Sequence, residues 1–321
     1  MENKQHIEKK GLHERNKHRF MYDFEALSES FLELKPYVSP NKYGNLSVDF
    51  ANPEAVLALN KAILKYHYSI ANWNIPKAYL CPPIPGRAEY LHHLADILAV
   101  DNQNIIPIGD TVRILDIGVG ANCIYPIIGR CEYGWQFVGS DIDKIAIQAA
   151  EKIIAENEAL NGGVECRLQS SKINIFKNII KPDEYFESVI CNPPFHASLE
   201  EATYGTQRKL RNLGKHTGKK PVLNFGGQNS ELWYEGGELG FISNMIKESD
   251  SFRSQCFWFS SLVSKQENVD KIYYLLEKQK VFDVKTIYIE IGNKISRIIF
   301  WTFLNDAQQA AWIAKRKKML L

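Results

Sequence analysis

A chain of 321 residues with 45% hydrophobic and 24% charged side chains can bury a full core without disulfide or metal staples. Thirty-nine Lys+Arg against 37 Asp+Glu leave a net charge of +2, so bulk charge names no partner. The six cysteines are scattered with no C-x-x-C pair, and neither an apolar leader nor a run of about 18 apolar residues is present, so a cytoplasmic protein without disulfides or a membrane span is expected.

The chain opens on a basic arm, in which Lys4, Lys9, Lys10, Arg15, Lys17 and Arg19 face only Glu2, Glu8 and Glu14. Such an arm is either a solvated tail or a polyanion contact. Phe24, Leu27, Phe31 and Leu34 recur at helical spacing, predicting a helix over 23–35 that Pro36 ends. Asn52-Pro53 supplies an N-cap and a first-turn proline for a second helix running to Tyr68. The loop Cys81-Pro82-Pro83-Ile84-Pro85-Gly86-Arg87 marks the expected boundary between a small helical N-terminal module, 1–86, and a larger domain, 87–321.

After a helix over 88–100, strands over 113–117, 136–140, 164–168 and 187–191 alternate with helices near 123–129 and 144–160. That rhythm predicts parallel β-α-β units in an α/β, Rossmann-like sheet. A basic insertion over 197–237 interrupts it, followed by a helix over 238–248, a strand over 256–263, a helix over 268–279 and strands over 284–291 and 296–304. The link between the last two strands is too short for a parallel crossover, so they should pair as an antiparallel hairpin. A parallel sheet finished in this way is the architecture of S-adenosylmethionine-dependent methyltransferases.

Asp116-Ile117-Gly118-Val119-Gly120 follows the first strand of that sheet. Glycines there allow a sharp turn and close approach of a ligand, although a lone G-x-G is equally a plain turn. Cys123 replaces the third glycine of the dinucleotide pattern, and Asp116 would repel phosphates. Both features suit a sulfonium cofactor. Asp141, at the end of the next strand, can accept both ribose hydroxyls while Asp143 caps the helix behind it.

Asn192-Pro193-Pro194-Phe195 closes the fourth strand, at the carboxyl edge of the sheet. The lone pair of an adenine amine is delocalised into the ring, so the amine is a poor nucleophile. Carbonyl acceptors on Asn192 and Pro193 would draw the nitrogen towards tetrahedral geometry, the prolines would hold those acceptors in place, and Phe195 would stack the target base. The motif serves adenine in RNA, adenine in DNA and a protein glutamine alike. Arg208, Lys209, Arg211, Lys215, Lys219 and Lys220 then follow with no acidic residue among them. Together with the N-terminal arm and Lys315-Arg316-Lys317-Lys318 they form three basic runs, the footprint of a nucleic-acid partner.

Nearly the whole chain resembles the bacterial 23S ribosomal RNA adenine-N6 methyltransferases of the RlmF type. It is more distantly similar to the eukaryotic enzyme that methylates an adenine of a spliceosomal small nuclear RNA. The resemblance rests on His13-Glu14-Arg15-Asn16, on Cys81 to Arg87, on Leu115 to Pro126, on Asn192 to His196, and on the Gly226-Gly227, Glu231-Leu232-Trp233 and Gly236-Gly237-Glu238 block. It implies S-adenosylmethionine as donor, an adenine of 23S rRNA (free or in a large-subunit assembly intermediate) as target, and no membrane or metal. It further implies Arg87 at the cofactor carboxylate, Gly118 at its methionine portion, Asp141 at the ribose, Ser170 within the 169–171 loop at the cofactor adenine, and Asn192 at the target amine; Asp116 and Gly120 of the glycine turn are expected at the cofactor as well. RNA contacts are expected from Lys9, Lys10, Arg15, Lys17, Arg208, Lys209, Arg211 and Lys215. The alternatives are a protein-glutamine N5 methyltransferase and a DNA adenine-N6 methyltransferase.

Overall fold

The computed structural model describes Glu8 and residues 11–77, 79–100, 102–197, 233–292 and 294–318. Asp23 accepts hydrogen bonds from the Glu25 and Ala26 amides and so starts α1 (Phe24–Ser30). The helix expected to run to residue 35 breaks at Phe31, whose backbone is extended, and resumes as a 3-10 helix over Leu32–Tyr37 that contains Pro36. The apolar spacing survives the break: Phe24, Leu27 and Leu34 are all buried. A short antiparallel hairpin, β1 (Val38–Pro40) with β2 (Leu46–Val48), leads to α2 (Pro53–Tyr68). Asn52 caps α2 through a bond from the Glu54 amide, as its spacing from Pro53 predicts.

The next helix, α3 (Ile84–Val100), begins inside the proline-rich loop and crosses the expected boundary at 86/87. Leu59 and Ile63 of α2, Leu91 and Leu94 of α3, and Ile114 of the following strand belong to one continuous apolar core. The described part of the N-terminal arm is docked on α3. The Glu89 carboxylate accepts from the His13 amide at 2.8 Å and from Asn16 Nδ2 at 2.5 Å, so residues 13–16 are no solvated tail.

The main sheet contains β3 (Arg113–Ile117), β4 (Gln136–Asp141), β5 (Val164–Leu168), β6 (Phe186–Cys191), β7 (Cys256–Val263), β8 (Asp283–Ile291) and β9 (Lys294–Thr302). Between its strands lie α4 (Ile124–Tyr133), α5 (Lys144–Ala155), α6 (Gly237–Ser249) and α7 (Val269–Lys278), and α8 (Asp306–Lys318) follows β9. The strand order is β5-β4-β3-β6-β7-β9-β8; β3 to β7 run parallel, and β9 is antiparallel to both its neighbours, as expected for the hairpin. Every residue of β6 and β7 is buried, which is why neither strand alternates: Val189-Ile190-Cys191 and Cys256-Phe257-Trp258-Phe259 are unbroken apolar stretches. Successive β9 side chains feed opposite layers: Ile298 and Phe300 pack with α3 and α4, while Ile299 and Trp301 pack with α6 and α7. Among the described residues no helix is long and apolar enough to cross a membrane.

The last helix docks far from the ligand edge. Trp312 Nε1 and Arg316 Nη1 donate to the two oxygens of Glu187, at 3.0 and 2.8 Å. Glu187 lies at the start of β6, so this pair sits at the amino end of the strand whose carboxyl end delivers Asn192. Lys315 stands 3.9 Å from the Tyr185 ring centre. Of the closing basic run, Arg316 is thus buried as an ion pair and Lys315 caps an aromatic ring.

Candidate active site

The parallel strand order changes direction at β3, with β4 on one side and β6 on the other, and a ligand crevice is expected at the carboxyl ends of these strands. A cavity of about 910 Å³ opens there, lined among others by Arg87, Gly118, Gly120, Asp141, Asn192 and Pro194. Thus six of the sequence-predicted side chains and glycines from four different elements meet around one space. Gly118 has φ +78°, and a Cβ on it would point into open space, so the glycine serves the turn and leaves the cradle clear.

Asp141 is fixed from two sides. Its Oδ2 accepts the Gly120 amide at 3.0 Å and its Oδ1 accepts the Asp143 amide at 2.9 Å. Burial pushes its pKa up, and the Asp143, Gly120 and Ile142 amides draw it back. Asp143 does the capping, accepting the Ile145 amide at 2.8 Å as expected of it, and Asp141 is left at the cavity wall. Tyr79 holds the other Asp143 oxygen at 2.7 Å.

Asp116 is almost fully buried at the end of β3, and neither of its oxygens accepts a hydrogen bond from a described residue. Burial, then the neighbouring Asp141, pushes its pKa up to about 8, with Arg87 pulling the other way. An orphaned carboxyl under a glycine turn is costly for the empty protein and is relieved by a cationic ligand. S-adenosylmethionine carries a sulfonium and an ammonium, so this donor set fits that cofactor better than one bearing phosphates.

Asn192 leaves β6 at the cavity, and Arg87 Nη1 donates to its Oδ1 at 3.5 Å. The guanidinium also lies over the Tyr125 ring, 5.6 Å from its centre. Pro193 is buried, and Phe195 is half-buried against the core with the Lys294 ammonium 5.6 Å from its ring centre. Immediately beyond, His196 pairs with Trp233 as a parallel bridge, and the Tyr234 amide donates to the His196 carbonyl at 3.1 Å. The start and end of the insertion thus meet at the cavity rim, with Trp233 and Tyr234 among its lining.

Other predicted residues fall elsewhere. Ser170 is exposed and does not line the cavity; Gln169 does, and its amide braces the loop by accepting from the Ser171 amide at 3.0 Å and donating to the Lys177 carbonyl at 2.9 Å. Arg15 is bound within the protein, to Asp96 at 2.5 Å and the His92 carbonyl at 2.9 Å, and Lys17 pairs with Glu132 at 2.9 Å. His13, His93 and Asp96 bring ligand atoms within 4.8 Å of one another, but Asp96 is already spent on Arg15 and His13. Lys9, Lys10, Arg208, Lys209, Arg211 and Lys215 lie outside the described residues.

Sequence reasoning cited Tyr125 and Trp233 only within the blocks that carry the resemblance, without a role, and missed the cavity-lining segment 172–175, which is held because Glu248 accepts the Ile175, Phe176 and Lys177 amides at 2.6 to 3.0 Å. The Gly-Gly-Glu block has a similar explanation. Glu238 is buried at the start of α6 and accepts from the Ser264 and Lys265 amides and Asn268 Nδ2, tying α6 to the loop after β7.

A doubly wound sheet ending in an antiparallel pair, with its ligand edge at β3, β4 and β6, is the frame of a Rossmann-like methyltransferase, and this chain has it. The hMettl16 catalytic domain, solved in complex with MAT2A 3′UTR hairpin 1, superimposes with a TM-score of 0.76 at 26% identity over 92% of this chain and 97% of that one. The N-terminal domain of human METTL16 in complex with SAH gives 0.72 at 25% identity, covering 92% and 99%. Two proteins called Ribosomal RNA large subunit methyltransferase F are similar almost end to end. That of Photobacterium profundum is 51% identical over 98% of each chain, and that of Yersinia enterocolitica is 53% identical over 98% of this chain and 95% of its own. The pattern of the RNA methyltransferase family matches residues 6–305, and the chain belongs to that family.

Proposed function

We propose that this protein transfers a methyl group from S-adenosylmethionine to the exocyclic N6 of one adenine in 23S ribosomal RNA, in the cytoplasm, on free rRNA or on a large-subunit assembly intermediate. The observation that carries the reading is Asn192 at the carboxyl end of β6, in one cavity with Asp141 and Arg87, in a chain about half identical over its full length to rRNA methyltransferases. Those relatives favour RNA over the protein-glutamine and DNA readings.

When bound, the cofactor supplies an electrophilic methyl on a sulfonium. The chain's own residues do the rest. Asp141 and the Gly120 amide present a prearranged edge for ribose hydroxyls, and Asp116 balances positive charge beneath the turn. The Asn192 side-chain carbonyl and the Pro193 carbonyl accept the two N–H bonds of the target amine, freeing its lone pair. Arg87 holds the Asn192 side chain and neutralises an acidic ligand group, so nucleophile and donor are aligned by one guanidinium. Lys9, Lys10 and the basic insertion residues Arg208, Lys209, Arg211 and Lys215 supply phosphate contacts, and the N-terminal 1–86 segment is the part that grips RNA.

The test is methylation of rRNA from a strain lacking the gene, beside rRNA from its parent, with S-adenosylmethionine carrying a labelled methyl group. N6-methyladenosine label in the deletion-strain RNA alone supports the assignment. Label on a protein, or on neither RNA nor ribosomal subunits, overturns it.

A further inference from the structure

Tyr90 stands one turn beyond Arg87 on α3 and is fully buried. Its hydroxyl donates to Ser260 Oγ at 3.0 Å, and Ser260 Oγ in turn donates to the Val189 carbonyl at 2.7 Å. The same phenolic oxygen accepts the Cys191 amide at 3.4 Å. The β6–β7 register runs from Phe186↔Cys256 to Val189↔Phe259 and goes no further. β6 runs two residues further, and its last amide, that of Cys191, is held by the Tyr90 hydroxyl. Cys191 is the residue directly before Asn192. The ring itself is wedged edge-on against Tyr125, 5.5 Å between centres, and Tyr125 lies under Arg87.

From this arrangement we infer that Tyr90 is a positioning residue for methyl transfer: through the Cys191 amide and the Ser260–Val189 link it sets the direction in which β6 delivers Asn192. The inference rests on the function proposed above. α3 then grips the Asn-Pro-Pro-Phe segment twice, at the Asn192 side chain through Arg87 and at the preceding backbone through Tyr90. A group needing only burial at this place would be served by phenylalanine. The hydroxyl adds two hydrogen bonds at the strand end, and Ser260 carries one of them on to the Val189 carbonyl.

The test compares Tyr90→Phe, Ser260→Ala and the double variant. Tyr90→Phe keeps the ring and removes one oxygen. Its kcat on rRNA at saturating cofactor and RNA should fall about tenfold, as misplacement of a reacting group does, while the cofactor dissociation constant and the RNA KM stay within about twofold. The double variant should be no slower than Tyr90→Phe, because both act on one link. Amide hydrogen exchange over 189–196 should rise in Tyr90→Phe, with exchange over β4 unchanged.

A Tyr90→Phe protein with kcat within about twofold of an active wild type and unaltered exchange overturns the inference, as does a loss confined to cofactor affinity. If Tyr90→Phe does not fold, Ser260→Ala carries the same kcat and exchange readouts. A wild-type protein inactive on rRNA overturns the functional reading instead, and the exchange measurement still decides whether Tyr90 holds the strand end.

Discussion

The Gly120 amide donates to Asp141 Oδ2 at 3.0 Å, so the turn after β3 and the carboxylate after β4 form one unit rather than two neighbouring motifs. Their separation in sequence is bridged by the parallel β3–β4 register, which sets Ile117 beside Ser140. Asp141→Asn keeps the size but replaces an acceptor-only carboxylate. It should weaken S-adenosylmethionine binding about 10- to 100-fold, the loss expected for charge-assisted bonds of about 1.5–3 kcal/mol, as read by titration calorimetry.

Asp116 predicts a pH dependence with a definite sign. The folded protein keeps this proton up to about pH 8, whereas the carboxyl ordinarily ionises near 3.8. The stabilising contribution is therefore complete below the lower value and is lost as pH rises through the higher one. Asp116→Asn carries no such loss. Its stability without ligand should gain on the wild type as pH rises from about 6 to 9, followed by thermal unfolding, while its affinity for S-adenosylmethionine falls. A wild type and variant with parallel pH profiles would show Asp116 to be ordinary.

Asn192→Ala should lower kcat by about 10²–10³-fold, the usual cost of losing a group that stabilises charge at the reacting atom. Cofactor binding should persist. Initial rates beside a binding titration check both halves.

Glu187→Ala leaves Arg316 buried without its carboxylate and should destabilise the protein by roughly 3–5 kcal/mol. The pair lies at the amino end of β6, away from the cavity, so kcat measured well below the new Tm should match wild type. A large kcat loss would show that the two ends of the strand are coupled.

Arg15→Ala and the triple variant Arg208→Ala, Lys209→Ala, Arg211→Ala should separate cleanly. Arg15 is bonded to Asp96, His92 and Tyr133, so its loss should lower Tm and leave the salt dependence of RNA binding unchanged. The triple variant should reduce the slope of log affinity against log salt by roughly 2, at about 0.7 per single-stranded phosphate contact. Filter binding across a salt series reads both.

How much could be read in advance depended on whether neighbours in sequence do the work. β6 and β7 were legible because strands buried on both faces carry unbroken apolar stretches, Val189-Ile190-Cys191 and Cys256-Phe257-Trp258-Phe259, and α2 because Asn52-Pro53 signals its own start. The break at Phe31 was not, since the apolar spacing continues straight through it. The hairpin of β1 and β2 has three-residue strands, too short for alternation to register. The closing helix read as a charge run because nothing local says that Arg316 meets Glu187, 129 residues away. The same limit governs the cavity. Asp116, Asp141 and Asn192 each sit in a recognisable local pattern, Arg87 came from resemblance alone, and Tyr125 and Trp233 are aromatic residues like any core aromatic until the fold sets them at one rim.

The bridge between His196 and Trp233 has an architectural consequence. Chain departure and return are fastened together at the cavity rim, so β6 and α6 are joined there without reliance on the segment between them. Its length and charge can change with little cost to β6, α6 or the cofactor cradle, since lengthening a loop whose ends are already joined adds only a slowly growing entropy. If the segment makes the phosphate contacts proposed for it, recognition and chemistry are free to evolve at different speeds, one changing while the methyl-transfer machinery stays as it is.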